Sequence, residues 1–97
     1  MKYAAFHQYT TDLALTAAIR PAHREYLTSL VEKNQLVAAG PFLDDSGALI
    51  IYEAESPEAA EALIKDDPFF AAGVFQTWTL KPWKCVFGNP KLLPPLG

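Results

Sequence analysis

An α+β domain, with one antiparallel sheet and both helices on the same sheet face, is predicted by three observations. Strand-like and helix-like stretches follow one another in the order β-α-β-β-α-β, a tight turn joins the second strand to the third, and 97 residues at 51% hydrophobic content suffice for one core. That order is the ferredoxin-like plan.

The first strand is read in residues 2–9, where Tyr3, Ala5, His7 and Tyr9 alternate with Ala4, Phe6 and Gln8 at the two-residue period of a sheet. Thr10-Thr11-Asp12 offers an N-cap, and Leu13 to Ala18 suits a short turn or helix ahead of Pro21. Pro21 fits the first turn of a longer helix, where its missing N–H leaves nothing unpaired, so that helix is expected from near Arg20 to near Asn34. Its apolar stripe is Ile19, His23, Tyr26, Leu27, Leu30 and Val31, at spacings of three and four.

Leu36 to Phe42 reads as the second strand, confined to a sheet edge because Pro41 cannot donate to a ladder. The turn Asp44-Asp45-Ser46-Gly47 then leads into a third strand, Ala48 to Tyr52, as a hairpin. Ser56 caps the second helix, Pro57 is its first residue, and Glu58 sits at its positive end; Ala59, Ala60, Leu63 and Ile64 form its inner face. Pro68 stops that helix, Phe69 to Gly73 adds one more turn, and Val74 to Lys84, with Trp78 and Trp83, is the last strand. Residues 1–86 are expected to form the domain and residues 87–97 a proline-rich tail that is neither helix nor sheet interior. Strands two and three offer apolar side chains to both faces while two helices cover one, so a second copy is expected on the other face, as a two-fold homodimer.

The formal net charge of −3 comes without a Lys/Arg cluster, which argues against nucleic acid or an anionic membrane as partner. The first residues carry no signal-peptide pattern, and no apolar run approaches the ~20 residues of a membrane span, so a cytoplasmic location is expected. Cys85, the single cysteine, has no partner for a disulfide or metal and reads as a partly buried strand residue. With His7 as the only other histidine, no recognisable metal-ligand set exists, and no cofactor is expected.

Two residues are out of place. His23 stands in an apolar stripe, and Asp67 stands near the negative end of a helix, where a carboxylate costs a few tenths to about 1 kcal/mol. Each has a structural explanation: His23 as a core histidine bonded to Tyr26 one turn away, Asp67 as the N-cap of the Pro68-Phe69-Phe70 turn. Asp67 also follows Leu63 by four residues, which aims it at the same interior as His23.

The combination Arg20-x-x-His23-x-x-Tyr26-Leu27-x-x-Leu30, then Ala39-Gly40-Pro41, then Asp67-Pro68-Phe69-x-x-Ala72-Gly73, ending in Leu80-Lys81-Pro82-Trp83, resembles the YciI-like (YCII-related) family over nearly the whole chain. The resemblance implies a ferredoxin-like fold, a dimeric α/β-barrel arrangement and a His–Asp pair proposed as the active site, which falls on His23 and Asp67. It also implies kinship with a dehydrochlorinase of chlorinated hydroxyquinols. The connection between Gly40-Pro41 and the third strand is shorter here than in longer relatives.

A His–Asp pair without a Ser or Cys nucleophile suits proton transfer, since an imidazole exchanges its proton near neutrality. The expected reaction is a cofactor-independent elimination or isomerisation of a small cyclic or aromatic molecule. Candidate substrate-binding residues are Arg20 for an anionic group and Phe6, Tyr26, Phe69 and Trp78, with Tyr3, for an aromatic wall. The alternatives are a non-catalytic ligand-binding or regulatory dimer, and a cofactor-free oxygenase.

Overall fold

The strand β1 (Lys2–Tyr9) lies at the middle of the fold because its alternation buries one whole face, Tyr3, Ala5, His7 and Tyr9. In the computed structural model, which describes residues 1–94, it pairs antiparallel with β3 (Gly47–Glu53) on one side and with β4 (Phe75–Trp83) on the other. β2 (Leu36–Pro41) completes the sheet, in the order β2-β3-β1-β4. Pro41 therefore lies on an edge strand, where its missing donor is harmless. Pro95, Leu96 and Gly97, the end of the expected tail, lie outside the described residues.

Tyr3, Ala5, His7 and Tyr9 are buried beneath the helices, whereas Phe6 and Gln8 are exposed on the opposite face. Ala48, Ile50 and Tyr52 of β3 and Phe75 of β4 join this inner layer, and Leu30, Ile64, Phe69 and Val74 close it from above. Gly47 opens β3 against the backbone of β1. A Cβ there would overlap the His7 carbonyl, so only glycine allows this approach of the two strands.

Two expectations about α1 and β4 are corrected. A single helix, α1 (Leu13–Glu32), replaces the expected short turn and later helix: Asp12 caps it, accepting from the Leu15 N–H, and Pro21 lies inside it. Pro21 and Ala17, whose carbonyl loses its partner, are both exposed, so water can satisfy that carbonyl and the helix runs on. Cys85 is exposed and lies beyond β4, because β1 has no residue left to pair once Lys2 faces Trp83. The tail is not wholly irregular either: Asn89 caps a single 3-10 turn, Pro90–Leu92.

The second helix, α2 (Pro57–Lys65), begins as expected, with the Ser56 hydroxyl accepting from the Ala59 N–H. It ends two residues before a four-residue helix, α3 (Pro68–Ala71), and the Gly73 backbone at φ +79° turns the chain into β4. Asp67 is thus the second of the two residues between the helices, which decides where its carboxylate points.

Candidate active site

The α1 stripe is sharper than its apolar residues suggest: the buried positions are Thr16, His23 and Leu30, seven residues apart. His23 is carried to the middle of the helix layer, facing the gap between α2 and α3. Into that gap Asp67 extends its side chain, with both Oδ1 and Oδ2 at 2.8 Å from His23 Nδ1. Asp67 Oδ1 also accepts the Phe69 N–H at 2.9 Å and so caps α3.

Both members are buried, His23 at 6% and Asp67 at 1% exposure, so the carboxylate depends on these three contacts to offset lost hydration. The contact fixes the ring: Nδ1 faces the carboxylate and carries the proton, and Nε2 is left as the acceptor. Among the described residues Nε2 has no hydrogen-bond partner, and it is not among the fully enclosed unpaired atoms. That nitrogen is the open edge of the pair.

An aromatic cluster holds the imidazole. Phe69 stacks on His23 at 3.9 Å and 7°, Phe75 meets it edge-on at 6.1 Å, and Tyr9 meets Phe69 edge-on at 5.4 Å. Burial, reinforced by the Asp67 charge, pushes the Tyr9 phenol up to about 12, so its hydroxyl stays a donor at neutral pH. Arg20, half-buried one turn before His23, exerts the opposing pull on Tyr9 and forms no ion pair among the described residues.

The aromatic residues expected around a substrate do not converge on one wall. Phe69 packs against His23, but Tyr26 donates to the Leu63 carbonyl at 2.6 Å instead of bonding His23, since the carboxylate already occupies Nδ1. Tyr3 is fully inside the core, Trp78 packs on Phe70, and Phe6 faces away on the helix-free side of the sheet.

Sequence reading passed over His7 as a site residue. It is 2% exposed, its ring stacks on Phe75 at 3.9 Å, its Nε2 lies 3.3 Å from the Tyr52 hydroxyl, and its Nδ1 has no partner among the described residues. Burial, with the nearby His23 charge second, pulls its pKa down to about 4. The inward parity of His7 on β1 was visible in the alternation, but nothing local to residues 2–9 showed that β4 would lay Phe75 across it. Among the described residues no group of three or more His, Cys, Asp or Glu could hold a metal ion.

Comparison with known proteins gives the family and supports the fold. The YCII-related domain family model matches residues 1–84. Protein YciI of Escherichia coli O6:H1 is 37% identical over 98 aligned residues, which cover 90% of this chain and all of that protein. An uncharacterised protein of Haemophilus influenzae is 33% identical with the same coverage. Among solved structures, 5-chloro-2-hydroxyhydroquinone dehydrochlorinase of Burkholderia phenoliruptrix AC1100, in complex with 2,5-dihydroxybenzoquinone, superposes with a TM-score of 0.77 at 29% identity over 87% of this chain and 94% of that one.

Proposed function

This chain belongs to the YCII-related family, and on that premise we propose that His23 and Asp67 form a proton-transfer dyad acting on a small cyclic or aromatic molecule, as a lyase or isomerase without a cofactor. One observation carries the reading: a buried carboxylate saturates Nδ1 of a buried imidazole at 2.8 Å while Nε2 stays unpaired. In the reaction Nε2 takes a proton from a carbon or hydroxyl of the substrate. The electron pair left behind expels a leaving group from the neighbouring carbon, or returns to the proton at another position, and Asp67 balances the charge that forms on the ring.

The solved dehydrochlorinase complex supports the substrate class, a hydroxylated ring able to lose a proton and then a halide. Arg20 and the Tyr9 hydroxyl are the groups suited to its oxyanion. The helix-free sheet face, with Phe6 exposed and Ala4, Leu49 and Ile51 between polar ends, is assigned to a two-fold homodimer. A second reading, ligand binding without turnover, is favoured by the closure around His23, which leaves 6% of it exposed.

The test is turnover of chlorinated hydroxyquinols and related lactones by the native chain and by His23→Gln. The variant should keep its circular dichroism spectrum and lose activity by about a hundred-fold or more. Full activity in the variant would overturn the dyad, and tight binding of 2,5-dihydroxybenzoquinone with no turnover by the native chain would establish the second reading.

A further inference from the structure

Exposed large apolar side chains stand near complementary charges in two places. One is a groove of about 670 Å³ at one end of the helix-free sheet face, walled by Phe6, Leu13 and Phe42 and rimmed by Asp44 and Asp45, with no Lys or Arg among its lining residues. The other is the segment after β4, where Val86, Phe87, Leu92 and Leu93 are 54–93% exposed and the only charges among residues 84–94 are Lys84 and Lys91. An apolar groove with an acidic rim and an apolar strap with two cations are complementary in both respects.

The strap begins at the end of β4 away from the groove. Strand pairing sets Trp83 against Lys2 and Thr77 against Gln8, six residues or about 20 Å along β1. Within the strap the Cys85 thiol bonds the Phe87 carbonyl, and Asn89 caps the turn that follows. Of the two-fold arrangements open to sheets packed face to face, one with its axis across the strands would bring the Trp83 end of one sheet over the Gln8 end of the other. The strap also lies past residues 1–84, which make up the family domain.

We propose that residues Lys84 to Pro94 form an arm that docks in the groove of a second copy of this chain, reciprocally across the dimer, with Lys84 and Lys91 facing the partner's acidic rim. This rests on the two-fold dimer assigned above and not on the chemistry of His23, so a failed activity test leaves it standing.

Sedimentation equilibrium tests it on the full chain, on a chain ending at Lys84, and on two sets of surface substitutions, Phe87→Ser with Leu92→Ser and Asp44→Asn with Asp45→Asn. The substituted residues are exposed in the protomer, so these variants stay folded even if truncation does not. Both sets should weaken the dimer, the apolar one by about ten-fold or more, the acidic one most at low salt. An unchanged dissociation constant in both sets would overturn the arm. A full chain that remains monomeric would overturn it together with the dimer, and an arm folded onto its own groove would leave self-association untouched and overturn exchange between copies.

Discussion

Asp67 holds two positions at once: it caps α3 through the Phe69 N–H and it faces His23 Nδ1. Two substitutions separate these roles. Asn is as good an N-cap as Asp and offers an oxygen to Nδ1–H, but carries no charge. Asp67→Asn should therefore lose only about 1–2 kcal/mol in urea unfolding, the difference between a charged and a neutral hydrogen bond. Asp67→Ala removes the cap and strands the buried Nδ1, for a loss of about 2–5 kcal/mol. If the carboxylate serves the reaction, turnover falls by about a hundred-fold or more in both, including the nearly intact Asn variant. If it serves only the helix, activity in Asp67→Asn stays near that of the native chain. The doubling explains why sequence alone left this residue open: Asp before Pro is a sufficient cap, and only the packing of α1 against α3 brings His23 against the same carboxylate.

In α1 the helix continues through Pro21, against the ordinary local rule. Interior proline costs about 3 kcal/mol relative to alanine, and part of that is returned because proline also restricts the unfolded chain. Pro21→Ala should thus stabilise the domain by about 1–2 kcal/mol, raising the melting temperature by about 4–8 °C per kcal/mol for a chain of this size. A lower melting temperature would show instead that the proline ring shapes the turn presenting His23. The same element shows where local reading stops. Ser56, Pro57 and Pro41 act through their own backbone groups, so the start of α2 and the edge position of β2 were legible without knowing the fold. Pro21 was misplaced because Asp12 nucleates the helix two turns upstream and the Thr16, His23, Leu30 stripe holds both halves on one surface. Likewise Trp78 and Phe6 were grouped as wall residues by type, while register sends Phe6 to the opposite face of the sheet.

Among the described residues of the core, His7 is the buried side chain left with a fully enclosed, unpaired nitrogen, enclosed by Tyr52 from β3, by Phe75 and Trp78 from β4, and near His23 of α1. In the unfolded chain this imidazole binds its proton near the ordinary value of 6.5, and in the folded chain only at about 4. Between those values the unfolded state holds more protons than the native one, so stability is fully present above 6.5 and declines as pH falls. The loss is complete below about 4, where both states are protonated, and amounts to about 3 kcal/mol. The lowered carboxyls of Asp44 and Glu53 are exposed and act below the ordinary carboxylate range, so the decline between pH 6.5 and 4.5 is not theirs. Replacing His7 and Tyr52 together by Phe keeps the stack on Phe75 and leaves no orphaned hydroxyl, which makes the pair of changes close to neutral or stabilising at pH 7. Urea unfolding from pH 7 to 4.5 should show a steep fall in the native chain and a much flatter line in the double variant. Parallel slopes would mean that the core opens to hydrate His7 before it charges, and the acid sensitivity of the fold would then lie elsewhere.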